Sequence, residues 1–268
     1  MTDLHPHVKL LGVRFDNLSQ AEVVGHIVSS AARGEGGWMA NPNVDHLRQI
    51  AADNRLRELV AGADLVVADG MPVIWASRLA GTPLNERAPA SELVLGVCRA
   101  AADAGIGVFL LGGPPEAGEK AASILAAKFP GLRVSHMSPP FGFERDSEQM
   151  EHVIGALSDK APQVVFCAFG FPKQERLMQQ LLATFPNLWF IACGGTFSIV
   201  AGETPKAPEW MSKAGLEWAH RLRLEPGRLW KRYLVHDLPF AIWLITWSGV
   251  QGIARRWPAA SGRKASLF

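Results

Sequence analysis

One carboxylate in this sequence stands where a general base could work. Asp69 follows four apolar residues, 65–68, and precedes Gly70. A carboxylate at the end of a buried strand is partly desolvated, which raises its pKa and lets it accept a proton near neutral pH. Asp is also a favoured N-cap residue, so Asp69 could instead cap a helix that begins near Met71. The residue pattern leaves both roles open.

Glycine-rich turns follow three other apolar runs, and each leads into a predicted helix. They contain Gly112 and Gly113, Phe169 and Gly170, and Gly194 and Gly195. Glycine lets backbone N–H groups approach a ligand closely, and a helix N-terminus favours a phosphate group. One such turn is most simply an ordinary connection. Three turns on the same edge of a sheet predict a nucleotide or phosphate site.

Other polar residues follow the predicted strands. Asn41 stands in an Asn-Pro-Asn turn and is a second candidate catalytic residue. Gln174 and Glu175 could bind ligand hydroxyls or cap the helix that Pro172 begins. The group Glu86, Arg87 and Glu92 most simply forms a surface ion pair.

Several familiar cofactor and metal motifs are missing. The sequence has no GxGxxG, no GxxxxGK[ST], no HExxH and no DxD, so a dinucleotide enzyme, a P-loop NTPase and a metal site are disfavoured. No cofactor is predicted. A diphosphate would then need basic side chains to neutralise it, and Arg221, Arg228, Lys231 and Arg232 are the candidates. Contact with lipid headgroups or solvent is the alternative for each.

These candidates lie in an unusual C-terminal stretch. Residues 206–268 hold six of the nine tryptophans and eleven of the 27 Lys and Arg residues, against four acidic residues. The uncharged run 238–254 is flanked by basic pairs. It is shorter than the about 20 apolar residues of a typical membrane span, so we expect it to lie on a bilayer or to pack on the protein. A true span is a third, minor option.

The elements that must position these residues alternate along the chain. Predicted strands occupy 8–14, 36–40, 64–68, 107–111, 131–135, 163–168 and 188–192. Predicted helices lie near 19–33, 43–61, 71–80, 90–104, 115–129, 146–160 and 173–185, and then at 208–223, 226–236 and 238–256. This alternation predicts an α/β fold, a Rossmann-like, mostly parallel sheet with helices on both faces, in residues 1–205. Residues 206–268 are predicted to form a helical, membrane-associating appendage, and its last residues, PAASGRKASLF, are predicted to be disordered.

Composition narrows the class of protein. The chain has 268 residues, 48% hydrophobic and 19% charged, which suits a large folded domain and not a disordered chain. A net charge of +2 gives no general affinity for nucleic acid. The three cysteines form no CxxC pair and the N-terminus resembles no signal peptide, so a reduced, cytoplasmic setting is expected.

Taken together, the motifs from about residue 8 to about residue 245 resemble those of the WecG/TagA/CpsF family of bacterial glycosyltransferases, family 26. The matching pieces are NPN at 41–43, ADGMPVIW at 68–75, LLGG at 110–113, AFGFPKQE at 168–175, CGGTF at 193–197, the run from AG to KAPEWM at 201–211, and the run from GLEWAHRL to EPGRLWKR at 215–232.

The resemblance implies an inverting, metal-independent transfer from a UDP-sugar to a polyprenyl-diphosphate-linked saccharide, in bacterial surface polysaccharide synthesis at the inner face of the cytoplasmic membrane. It implies that Asp69 is the catalytic aspartate and that Gln174 is the glutamine of the GxPxQE motif. The arginines that close over the diphosphate fall on Arg221, Arg228 and either Lys231 or Arg232. A homo-oligomer is left open.

Three positions depart from the family pattern, namely Met39, Glu92 and Ser198, and they predict a different sugar or acceptor within the same reaction class. Two other classes compete with this interpretation. One is a nucleotide-dependent oxidoreductase on the same kind of sheet, which the missing dinucleotide motif disfavours. The other is a non-enzymatic membrane module, which would have no need of polar residues along one sheet edge.

Overall fold

The computed structural model of the protein describes residues 6–256. The strands in this range are β1 His7–Leu10, β2 Val13–Asp16, β3 Gly37–Ala40, β4 Leu65–Val66, β5 Gly107–Gly112, β6 Arg133–Met137, β7 Val164–Ala168 and β8 Trp189–Ala192.

The helices of the body are α1 Gln20–Ala32, α2 Val44–Ala52, α3 Asn54–Ala61, α4 Met71–Leu79, α5 Ala90–Ala104, α6 Pro115–Lys128, α7 Ser147–Lys160, α8 Lys173–Thr184 and α9 Thr196–Val200. The C-terminal helices are α10 Glu209–Lys213, α11 Glu217–Leu224, α12 Pro226–Trp230 and α13 Leu238–Arg256. A 3₁₀ turn, Phe143–Arg145, precedes α7, and a π-helical stretch, Lys231–Asp237, joins α12 to α13.

A six-stranded sheet forms the centre, in the order β4-β3-β8-β7-β5-β6, and every strand pair in it is parallel. Alternate side chains serve two cores because successive residues of a strand face opposite sides. Phe109 and Leu111 of β5 join the core under α2, α3, α4, α7 and α8, while Val108 and Leu110 join the core under α1, α5 and α6. The predicted α/β fold with helices on both faces is confirmed.

The predicted strand 8–14 is wrong in detail. The chain turns at Leu11 and Gly12, whose φ angles are 51° and 78°, and β1 pairs antiparallel with β2 outside the parallel sheet. Two consecutive positive φ angles match the twist of a two-residue hairpin. The predicted helix 43–61 is likewise divided at Asp53, whose side chain caps α3 by accepting from the N–H of Arg55.

The C-terminal helix α13 packs on the body along one face. Leu244 is fully buried in the core beside α4, and Gly252 lies directly against the carbonyl of Leu79, where a Cβ would clash. The opposite face of α13 is exposed and apolar, as Ile242, at 56% exposure, shows. The helix therefore packs on the protein, which is one of the alternatives predicted from the sequence. Its other face is apolar and exposed to solvent.

Within residues 6–256, no helix combines the length and the apolar character needed to cross a bilayer. Trp257 and the terminal segment with predicted disorder lie outside the described residues.

Candidate active site

A cavity of about 560 Å³ opens at the carboxyl ends of the parallel strands, where ligands bind in sheets of this kind. The C-terminal segment forms its other wall. Most of the predicted site residues line it: Asn41, Asp69, Gly113, Phe169, Gly170, Gln174, Gly194, Gly195, Arg221, Arg228 and Arg232. The remaining three, Gly112, Glu175 and Lys231, do not.

Asp69 lies in this cavity in the environment expected of a general base. Burial raises the pKa of its carboxyl to about 6, with Arg221 and Arg87 favouring the ionised form and Glu217 opposing it. Gly70, not Asp69, is the N-cap of α4, and no side chain caps that helix. The capping role left open by the sequence is therefore absent, and the carboxyl faces the cavity.

Arg87 lies 3.8 Å from Glu92, as the predicted ion pair requires, and it also lines the cavity. Its side chain is only 15% exposed, and its guanidinium donates to Glu217 of α11 at 3.0 Å. The loop that carries it returns to β4, because Ala88 donates to the carbonyl of Ala68 at 2.8 Å. Arg87 thus lies between Asp69 and the C-terminal segment.

Gln174 ties two of the glycine-rich turns together. Its side chain is 2% exposed, and its Oε1 accepts from the backbone N–H of Gly170 at 3.1 Å and of Gly194 at 3.2 Å. Its Nε2 donates to Glu175 at 3.0 Å. Glu175 itself is 1% exposed and lies behind Gln174, away from the cavity.

Gly112 serves packing next to the cavity. A Cβ at this position would lie 2.6 Å from the Phe169 ring, and φ is +93°, so only glycine fits. Phe169 is thereby pressed between Gly112 and Phe143, whose ring centre lies 5.1 Å away. The glycine fixes the aromatic wall of the cavity without touching its interior.

A second group of charges joins the body to the C-terminal segment. Asp45 of α2 accepts from Arg48 at 2.6 Å and lies 3.0 Å from Arg232. Asp237 lies 3.5 Å from Arg48 and 3.7 Å from Arg232. Burial, reinforced by Asp45, raises the pKa of Asp237 to about 6. Arg232 therefore reaches the cavity already paired with two acidic residues.

The other predicted cations are more exposed. Arg228 pairs with Glu225 at 2.6 Å and keeps 69% of its side chain exposed. Arg221 of α11 is exposed at the cavity rim. Lys231 is exposed and lies over the ring of Trp230 at 5.8 Å.

Aromatic and histidine residues complete the wall beside α2. The rings of His46 and Phe171 stack with centres 4.5 Å apart, and both line the cavity. Burial lowers the pKa of His46 to about 4, so its ring is neutral at physiological pH. Sequence reasoning missed this pair, although Phe171 stands in the AFGFPKQE motif, because nothing in the pattern brings it against His46 of α2.

Of the three departures, Met39 is fully buried in the core and Ser198 lines the cavity. Glu92 pairs with Lys206 at 3.5 Å. Cys98, Cys167 and Cys193 are buried free thiols. Within residues 6–256, no three His, Cys, Asp or Glu side chains are grouped so as to hold a metal ion.

The glycosyl transferase WecG/TagA/CpsF family matches this sequence over residues 8–253. The chain belongs to that family. The predicted resemblance and the predicted enzyme class, a glycosyltransferase, are both confirmed, and the oxidoreductase alternative loses its support.

Curated relatives agree with this assignment. A Staphylococcus aureus protein is 28% identical over 227 residues, covering 84% of this chain and 86% of its own. A Bacillus spizizenii protein is 28% identical over 195 residues, or 73% of either chain. Both are named N-acetylglucosaminyldiphosphoundecaprenol N-acetyl-beta-D-mannosaminyltransferase.

Proposed function

We propose that this protein is an inverting, metal-independent transferase. It moves a hexose, an N-acetylhexosamine or its uronic acid from a UDP-sugar to a saccharide linked to polyprenyl diphosphate. The product would serve bacterial surface polysaccharide synthesis. The names of the relatives support the acceptor class. The observation that carries the proposal is Asp69, a carboxyl with a pKa of about 6 in a cavity whose rim carries Arg221.

In the proposed reaction, Asp69 removes the proton from the acceptor hydroxyl as the oxygen attacks the anomeric carbon of the donor sugar. The bond from that carbon to the β-phosphate oxygen breaks on the opposite face, and UDP leaves with the bonding electrons. A pKa near 6 leaves Asp69 ionised at neutral pH yet basic enough to take a proton. Asn41, which is 5% exposed and lines the cavity, is proposed to orient the hydroxyl.

The donor is proposed to lie along the glycine-rich turns, with Gly113, Phe169, Gly170, Gln174, Gly194 and Gly195 as its contacts. The diphosphate is proposed to face the C-terminal wall. There Arg221, Arg228 and Arg232 can stabilise the charge that develops on the leaving group, because they act in a partly enclosed cavity. Lys231, exposed next to Arg232, would act at longer range.

The protein is proposed to work on the inner face of the cytoplasmic membrane as a peripheral protein. On α13, Ile242, Thr246, Val250 and Ile253 are exposed at a spacing of three or four residues, opposite the buried Leu244. The start of α13 and the helices before it also carry exposed apolar residues, namely Trp210, Trp230, Leu234, Val235 and Leu238. An apolar helix face flanked by basic residues favours the interface of an anionic bilayer.

A donor screen tests this function. Purified protein is given a short polyprenyl-diphosphate saccharide and a panel of UDP-sugars, and UDP release is measured. We expect turnover with at least one UDP-hexose or UDP-N-acetylhexosamine. Absence of acceptor-dependent UDP release across the panel, with protein that binds liposomes, would overturn the proposed reaction.

The same assay tests metal independence. Because basic side chains are proposed to neutralise the diphosphate, activity in excess EDTA should stay within about twofold of the control, under ~0.5 kcal/mol in the barrier. Loss of activity that only a divalent cation restores would contradict this part of the proposal.

A further inference from the structure

Glu175 is a buried acid with no direct access to the cavity. It is 1% exposed, its Oε1 accepts from Gln174, and its Oε2 is buried without a hydrogen-bond partner among the described residues. A buried carboxyl with one oxygen left without a hydrogen bond costs stability, so its presence needs a local reason.

The reason lies in what Gln174 does. Its single carbonyl oxygen accepts from two backbone N–H groups that belong to turns after different strands, Gly170 after β7 and Gly194 after β8. Both glycines have positive φ angles, 78° and 50°. The amide of Gln174 can brace both turns only when its oxygen points to them and its nitrogen points away. Glu175 accepts from that nitrogen and so favours this orientation over the flipped one.

We propose that Glu175 is a positioning residue, which fixes the amide of Gln174 and thereby holds the Gly170 and Gly194 turns at the separation that the donor nucleotide requires. The inference rests on the proposed function for the identity of the ligand. It assigns Glu175 a role through Gln174 and not the direct donor contact that the sequence motif suggested.

The protonation state of Glu175 should also affect the binding of an anionic ligand. Burial raises the pKa of Glu175 to about 7, against the hydrogen bond from Gln174. The neutral acid accepts from Gln174 without placing a buried charge behind the donor turns. The thiol of Cys167 lies close enough to Glu175 for their charges to interact. Burial raises the pKa of this thiol beyond its usual range, so the thiol stays neutral. Ionisation above pH 7 therefore adds a negative charge behind a site for an anionic ligand.

Two substitutions separate positioning from bulk. Glu175→Gln keeps an acceptor for Gln174 and cannot ionise. Glu175→Met keeps the length of the side chain but offers no acceptor. Leu181→Ala is the matched control, because Leu181 is 1% exposed on the same helix and its truncation weakens the core without touching Gln174.

The first measurement needs no ligand. Hydrogen exchange of the Gly170 and Gly194 amides is followed by NMR in the free protein. We expect the Gly170 and Gly194 amides to exchange at least tenfold faster in Glu175→Met than in Glu175→Gln. The amides of β5 serve as the reference for any general change in stability. Equal protection of both glycines in the two variants would overturn the positioning role, whatever the enzyme binds.

The second measurement is the UDP dissociation constant by calorimetry between pH 6 and pH 8.5. At pH 6, Glu175→Gln should bind within about twofold of the wild type and Glu175→Met at least tenfold more weakly, with Leu181→Ala unchanged. Wild-type affinity should fall more steeply with rising pH than that of Glu175→Gln. Parallel pH profiles, or wild-type affinity in Glu175→Met, would overturn the inference. Failure of the wild type to bind UDP would instead overturn the proposed donor.

Discussion

The two walls of the cavity are built in different ways. The wall at the sheet edge is buried and hydrogen-bonded to itself: Gln174 is 2% exposed and bonded to two turns, and the Phe169 ring is held between Gly112 and Phe143. The C-terminal wall carries exposed or half-exposed cations. Arg228 is 69% and Arg232 is 40% exposed, and both are paired with acidic residues.

This difference suggests a division of labour. Backbone and buried amide groups keep one geometry, and so they suit recognition of a nucleotide of fixed shape. Surface ion pairs contribute little to stability and are weakened by salt, so their partners can be exchanged for the oxygens of a diphosphate at small cost. We expect the sheet edge to set donor identity and the C-terminal wall to set the rate at which UDP leaves.

The largest effect should follow from Asp69→Asn, at the junction of the two walls. Loss of the base should lower turnover about 10²–10⁴-fold while UDP binding is largely kept. Turnover with a soluble acceptor and UDP calorimetry measure the two quantities. Asp103→Asn, an exposed carboxyl on α5, is the control. Near-normal turnover of Asp69→Asn would remove this residue from the mechanism.

The next effect should separate two arginines of one helix. Arg221 lines the cavity and favours ionised Asp69, whereas Arg223 does not line it. Since the base must be ionised, kcat/KM of the wild type should rise with pH through about 6 and should fall again above about pH 7, where Glu175 ionises and donor binding weakens. Arg221→Ala should lower kcat/KM about 10²-fold, as loss of transition-state charge stabilisation does, and should move the acid limb to higher pH.

Arg223→Ala should stay within about twofold at every pH, since an exposed charge outside the cavity contributes little. An acid limb that does not move in Arg221→Ala would show that the two walls are not electrostatically connected.

The sheet-edge wall was largely predictable from the sequence, and the other wall much less so. Alternating strands and helices force parallel strands to end at one edge, so the turns at Gly113, Gly170 and Gly194 had to come together. The position of Arg87 could not be derived in this way, because it depends on one long-range hydrogen bond from Ala88 to Ala68.

The sequence also did not predict which of two adjacent residues would be buried away from the cavity. Gln174 and Glu175 are adjacent polar residues at a helix start, and both could have faced the ligand. Which one does depends on the rotation of α8 against the sheet, which a pattern of two residues does not determine. The hairpin at Leu11 was missed because a leucine with positive φ is rare and no Asn-Gly or Asp-Gly pair marks the turn.

A third prediction concerns the exposed face of α13. Truncation after Asp237 would also remove the buried Leu244, so substitutions on the free face test membrane binding more cleanly. The pair Val250→Ser and Ile253→Ser should weaken flotation with anionic liposomes about tenfold, which corresponds to ~1.4 kcal/mol of lost apolar burial.

The melting temperature of this double variant should not change, because the two side chains are 64% and 68% exposed. Ile124→Ser, on α6, is the control for an exposed isoleucine elsewhere. Unaltered flotation of the double variant would argue against this face as the membrane contact.

The smallest effect should come from the ion pairs that hold the C-terminal wall to α2. Asp45 is 10% exposed and lies 3.0 Å from Arg232, whereas Arg33 and Glu35, at 2.6 Å, are both more than half exposed. Double-mutant cycles in thermal unfolding, with Ala at each position, should give a coupling of about 1 kcal/mol for Asp45 with Arg232 and a smaller coupling for Arg33 with Glu35. Asp237 gains a proton below about pH 6 and then no longer competes for Arg232, so the coupling between Asp45 and Arg232 should persist at pH 5.5.

Equal couplings for the two pairs would mean that these ion pairs do not hold the C-terminal wall, and that the apolar packing of α13 does so alone. The two walls of the cavity would then differ in the exposure of their side chains and not in the interactions that hold them in place.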